Sequence, residues 1–224
     1  MNRRPWADRI AAVASLTDEK RLRLFEVVAS AARPVGRDEV AEAAELPRST
    51  VSFHLDRLVQ DGLLAVEFHK PAGRVGPGSG RPAKRYRPVG GEVGASVPDR
   101  NYDLAGELMA DAIETSLSGG EPVSDALASV AFRKGRDMGE AAGSLEEFLV
   151  QAGYRPRPDG DGGFLLPNCP FHRLSRQHPA VVCDMNGAFL RGAAAGCSSP
   201  EGRVTGDSDD AHCCARITGP ARTA

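Results

Sequence analysis

The chain has 224 residues, 41% of them apolar and 26% charged, with a formal net charge of −2. These values describe a globular chain long enough for one large domain or two smaller ones, and no run approaches the 18 consecutive apolar residues of a membrane span. The near-neutral total conceals a split, because residues 1–90 hold 16 Lys and Arg against 11 Asp and Glu, whereas residues 91–224 hold 12 against 19. A basic first half joined to an acidic second half fits a polyanion-binding module attached to something else. Met1-Asn-Arg-Arg-Pro-Trp6-Ala-Asp8 lacks the apolar centre of a signal peptide, which predicts a cytoplasmic protein; residues 1–15 read as an N-terminal arm.

Thr17-Asp18-Glu19 offers a cap and an acidic first turn for a helix to about Ala32, with Leu22, Phe25 and Ala29 on one face. Pro34 and Gly36 break it, and Asp38 to Ala44 follows as a short helix. Leu46-Pro47 makes a turn into a third helix, where Val51, Leu55 and Leu58 recur at i, i+4 and i+7. Ser49, Ser52 and Phe53 lie opposite that stripe, flanked by Thr50, His54 and Arg57, with Arg48 in the first turn. Hydroxyl, imidazole and guanidinium groups suit base edges and phosphates in a major groove. Gly62 stops the helix, completing a helix-turn-helix pattern.

The period then changes. Leu63 to His69 reads as a strand, Pro71 to Pro82 holds four Gly and three Pro, and Ala83 to Pro88 reads as a return strand. From Lys70 to Arg87 there are six basic residues and no acidic one. Two strands around a basic loop, directly after a recognition helix, form a wing; Arg74, Arg81, Lys84 and Arg85 are its candidate phosphate or minor-groove contacts. The glycine-rich loop lacks a Gly-Lys-Ser/Thr ending, which argues against a nucleotide phosphate cradle. Ser49-Thr-Val-Ser-Phe-His-Leu55, Asp61-Gly-Leu63 and Gly80-Arg-Pro-Ala-Lys-Arg-Tyr86 resemble bacterial winged-helix regulators of the arsenic-repressor-like group. The wing is particularly similar to that of regulators of iron–sulfur cluster assembly operons. This resemblance spans residues 16–90.

Gly90 to Pro98 is a linker by composition. Helices are expected from Asp99 to Ser118, with Leu104, Leu108 and Ala112 aligned beside Met109, Ile113 and Leu117, and from Ser124 to Ala142. Residues 91–143 thus form a linker and a helical dimerisation region, since helix-turn-helix proteins commonly pair to span two half-sites. Ser144-Leu-Glu-Glu147 is a capping box opening a third helix. Phe164 to Leu166 reads as a strand, His178 to Leu190 as a helix and Cys213 to Ile217 as a closing strand, giving a small α/β domain over 144–218 with a tail at 219–224.

All five cysteines lie late, at 169, 183, 197, 213 and 214. In a cytoplasmic chain this favours a metal site, a redox site or buried thiols over disulfides. Cys169 and His172 are spaced to meet one ion, Cys183 joins from a helix, and Cys213 shares its strand face with Ala215 and Ile217. Cys197, in Gly-Cys-Ser-Ser-Pro, is the weakest candidate. Asn168-Cys-Pro-Phe-His, with His178, Val182-Cys183 and a terminal Cys-x-Ala-Arg-Ile, is similar to the sensor of the same iron–sulfur operon regulators. The resemblance implies that Cys169, Cys183 and Cys213 hold a cluster in a dimer that represses DNA, with the fourth ligand among His172, His178, Cys197 and Cys214. Between Cys197 and Cys213 the chain departs from that pattern, so zinc on three Cys and one His is the rival.

The sequence therefore predicts an α+β protein: an N-terminal winged helix-turn-helix, a central helical dimerisation segment and a small C-terminal α/β cysteine-containing domain. The predicted function is a homodimeric, DNA-binding repressor under metal or iron–sulfur control, with double-stranded operator DNA as partner and no membrane. Its alternatives are a regulator with structural zinc and a small-molecule ligand, or an enzyme using Cys169 with His172 or His178. No substrate-binding motif accompanies that pair.

Overall fold

The computed structural model describes residues 3–69, 82–198, 203–206 and 215–219. The chain divides into two compact units, Pro5–Ala95 and Met1–Arg4 with Ser96–Ala224, and mixes helix and sheet in each.

In the N-terminal unit the elements run α1 (Trp6–Ser15), α2 (Glu19–Ala29), β1 (Val35–Gly36), α3 (Arg37–Ala44), α4 (Arg48–Gln60), β2 (Leu64–His69) and β3 (Ala83–Pro88). Residues 6–15 are therefore a helix rather than an arm. Its buried face is Arg9, Ala12 and Ser15, and Arg9 Nη1 donates to the Gly94 carbonyl at 2.9 Å. A face of one charge, one methyl and one hydroxyl leaves no apolar period to read. Asp18 caps α2 by accepting from the Arg21 amide at 3.0 Å, and that bond is the first cause holding its carboxyl below the ordinary range. The buried stripe of α2 is Leu24 and Val28; Leu22 is 39% exposed.

A left-handed Glu45 (φ 53°) ends α3, and Pro47 caps the start of α4. Val51, Leu55 and Leu58 are fully sealed against Leu24, Val28, Val40 and Tyr86, as the helical period requires. Gly62 (φ 68°) then turns the chain, and the Leu63 amide closes on the Leu58 carbonyl at 2.9 Å. β2 and β3 pair antiparallel with Val66 opposite Tyr86, and β1 adds on the far side of β3 to give the order β1-β3-β2.

The other unit contains α5 (Tyr102–Gly119), α6 (Val123–Ala142), α7 (Leu145–Ala152), β4 (Arg157–Pro158), β5 (Phe164–Leu165), α8 (His172–Gln177), α9 (Pro179–Gly196), β6 (Val204–Gly206) and β7 (Ala215–Ile217). Ser144 caps α7, accepting from the Glu147 amide at 3.2 Å. The sheet order is β4-β5-β7-β6, all antiparallel. Residues on both sides of the expected boundary at 143 and 144 share one hydrophobic core, from Leu104 and Val130 to Phe148, Phe189 and Ile217. Helices α6 and α9 lie almost backbone to backbone. A Cβ at Gly135 would meet the Phe189 carbonyl oxygen at 2.0 Å, and one at Gly192 would meet that of Phe132 at 2.0 Å. Among the described residues no helix is long and apolar enough to cross a membrane.

Candidate nucleic-acid interface

Helix α4 sits on the apolar core with its outer face clear. Arg48 and Ser49 are exposed, Thr50 and Ser52 half-buried, and Phe53 is 67% exposed. A large apolar ring held out of an otherwise sealed helix is the unusual feature, and it suits contact with a base methyl or sugar. Arg48 Nε lies 2.8 Å from Asp38, but both side chains are mostly exposed, so little energy opposes release of the guanidinium to a phosphate. Arg57 is also exposed and lies 3.0 Å from Asp61.

His54 departs from its expected flank position. It is 7% exposed, meets the Phe53 ring edge-on with centroids 5.2 Å apart, and leaves its Nδ1 buried with no hydrogen-bond partner. The reason is geometric: positions 51, 54, 55 and 58 form the full width of a buried helical stripe, and 54 falls inside it.

The return strand divides its basic residues. Lys84 Nζ is 3.5 Å from Asp56 and part-exposed, whereas Arg85 is engaged inward, donating to Glu39 at 2.9 Å and to the Pro34 carbonyl at 3.1 Å. Arg85 thus ties β3 to α3, leaving Lys84 as the freer of the two toward a polyanion. Arg74 and Arg81 lie outside the described residues.

Sequence reasoning missed the group that fixes the strand pair to α4. Arg37 donates twice to Asp56, at 2.8 and 3.0 Å, and once to the Tyr86 hydroxyl at 2.7 Å; that hydroxyl donates to Asp56 at 3.2 Å. The three residues come from α3, α4 and β3, so one polar cluster ties α4 to the strand pair. Burial opposes the Asp56 charge, but Arg37 and Lys84 outweigh it and hold the carboxyl below its ordinary range. Burial first, against the pull of Arg37, raises the Tyr86 phenol. The visible signal was a lone tyrosine amid the wing's basic residues.

Residues 16–67 match a family of helix-turn-helix domains. No curated protein and no solved structure matches the chain. The match covers α2 through the start of β2, and with the exposed face of α4 it supports a helix-turn-helix, DNA-binding regulator.

The three described cysteines of the other unit stand in three places. Cys169 is 7% exposed, its Sγ is 3.9 Å from the Ser175 hydroxyl, and its carbonyl accepts from the His172 amide at 3.1 Å. Asn168 beside it bonds the Asp99 and Gly153 carbonyls at 2.8 and 2.5 Å. Cys183 is half-buried, five residues into α9. Cys197 ends that helix and donates to the Gly139 carbonyl at 3.3 Å, and burial pushes its thiol pKa up. Fourteen residues of helix separate Cys183 from Cys197, about 21 Å at 1.5 Å per residue, so Cys197 cannot share an ion with Cys183. The His172 and His178 side chains are exposed, at the starts of α8 and α9. Among the described residues no three of His, Cys, Asp and Glu come together to hold a metal ion. Cys213 and Cys214 lie outside the described residues.

Proposed function

We propose that the chain is a transcriptional repressor that binds operator DNA as a homodimer, placing α4 in the major groove and the β2–β3 wing along the backbone. The observation carrying this reading is the face of α4, where Arg48, Ser49 and Phe53 stand exposed over a sealed apolar underside. Two copies are expected because one such helix reads only a half-site. DNA selected from a random pool by the full chain tests both points. Enriched sites should be inverted repeats with centres about 10 base pairs apart or a multiple of that spacing. Binding that shows no sequence preference at any salt concentration overturns the reading.

An iron–sulfur cluster or metal held by Cys169, Cys183 and Cys213, with His172 as fourth ligand, is the proposed control. Two thiol donors in the described residues suit such a group: Cys169 before α8 and Cys183 in α9, helices that pack on each other. A bound group there would supply a charge- and oxidant-sensitive link between those helices, and its loading would be coupled to folding of the unit. Iron, sulfide and zinc analysis of protein purified without oxygen, paired with operator binding before and after chelation, tests the control separately from DNA recognition. Protein that lacks all three and binds DNA equally well after oxidation removes the control and leaves the DNA reading intact.

A further inference from the structure

The C-terminal unit holds a cleft of about 820 Å3 formed by α5, α6 and α9, with β6 and the first residue of β7 along one side. Sites for small organic molecules commonly span about 300–1,000 Å3, with mostly apolar linings and a few placed polar groups. Two features set this cleft apart from an ordinary surface furrow. First, Ile113, Val123 and Val181, three of the six large apolar residues that the described part of this unit leaves exposed, come together along it at 50–53% exposure. Second, small residues, among them Ala112, Ala128, Ala180 and Gly187, make up much of the remaining lining and leave room that larger side chains would have filled.

The charges on the lining set what fits. Asp125, Asp184 and Arg191 all face the cleft. Among the described residues Asp184 and Arg191 have no ion-pair or hydrogen-bond partner, and Asp125 has only the Ser124 hydroxyl at 3.4 Å. Asp184 and Arg191 are two turns apart on α9, about 10 Å along its axis. Carboxylates outnumber guanidinium groups two to one, and beside an apolar wall they favour a positive charge on the ligand.

We infer that this cleft binds an organic cation with an apolar body, the body against Ala112, Leu127 and Val181 and the positive end at Asp125 and Asp184. Arg191 then serves a neutral acceptor at the other end of the ligand. Cys183 also lines the cleft, so an occupant touches the helix that carries one of the cysteines invoked for control. The proposal that occupancy alters DNA binding rests on the regulator reading; the binding itself does not.

The test uses the full chain and three fluorescent probes: cationic rhodamine 6G, neutral N-phenyl-1-naphthylamine and anionic 8-anilinonaphthalene-1-sulfonate. Rhodamine 6G should saturate at one per chain. The double variant Asp125→Asn/Asp184→Asn should bind it at least tenfold more weakly while binding the neutral probe unchanged. Ala128→Trp, at an exposed position on the lining, should block both probes with the circular dichroism spectrum retained. Should that variant fail to fold, the two surface carboxamide substitutions alone decide the question. Equal rhodamine 6G affinity in the double variant overturns the proposal, as does preference for the anionic probe. Binding that appears only on dilution to monomer also overturns it, because a second copy would then cover the cleft. Operator binding by the double variant without probe should match the parent chain. Its loss would strike at the regulator reading, not at the cleft.

Discussion

Phe53 and His54 are neighbours on α4 with opposite fates, and they separate recognition from folding at the scale of single residues. Phe53 points away from the core and His54 into it. Phe53→Ala should leave stability within about 0.5 kcal/mol, as exposed substitutions do. It should weaken operator binding roughly tenfold, about 1.4 kcal/mol, which is within the range of one lost base contact. His54→Leu should do the reverse. It removes a buried nitrogen that has no partner, so urea unfolding should show no loss and up to about 1 kcal/mol of gain, with operator affinity held. Equal loss of DNA binding in both variants would mean that α4 is not the reading helix. Recurrence of apolar letters at i, i+4 and i+7 marked Val51, Leu55 and Leu58 correctly. It misplaced His54 because a polar letter inside a buried stripe looks like a flank residue until burial is known.

At the scale of elements, the contact between α6 and α9 depends on glycines that face carbonyl groups. Gly135→Ala or Gly192→Ala would push a methyl carbon to 2.0 Å from a carbonyl oxygen, a distance only backbone movement relieves. Each should destabilise the C-terminal unit by about 3 kcal/mol, the upper part of the range for overpacking. Gly106→Ala in α5 is the matched control: its added methyl has nothing within 4 Å. It should stabilise the same unit by about 0.5–1 kcal/mol, because alanine loses less backbone freedom in a helix. Thermal unfolding of the three variants measures both signs. Long elements with an apolar stripe, such as α4, α5 and α6, were legible in the sequence to within three residues at each end. Those that escaped had little to display. α8 buries none of its own residues, β1 has only two, and α1 buries one alanine between polar groups. The Arg37, Asp56 and Tyr86 cluster escaped for another reason: its members are 19 to 49 residues apart, and only the fold brings them together.

At the scale of the molecule, two units with separate cores should give two unfolding transitions, and charge assigns each one. Asp18, Glu39, Asp56 and Glu67, all in the N-terminal unit, have carboxyls held below the ordinary range. Glu39 owes its shift first to the hydrogen bond from Arg33, and Glu67 first to that from Arg87. A folded pKa below the unfolded one contributes stability that is complete above the unfolded value and lost as pH falls through the folded value. Between neutral pH and pH 5 the N-terminal transition should therefore hold steady, and below about pH 4 it should fall steeply. Among the described residues of the C-terminal unit only Asp159 shows the same shift, so its transition should move less. That unit has a different point of failure. Asp99, only 3% exposed, takes two hydrogen bonds from Arg3, at 3.2 and 3.0 Å, and its carbonyl accepts from Asn168 beside Cys169. Asp99→Ala removes the carboxylate that holds Arg3 and should lower the stability of the C-terminal unit by about 2 kcal/mol, the worth of charge-assisted hydrogen bonds. The N-terminal transition and its acid dependence should stay unchanged. Calorimetry at about pH 7 and about pH 3, either side of the carboxylate range, separates these effects, and a single transition moving as one in every sample would show that the two cores do not fold independently.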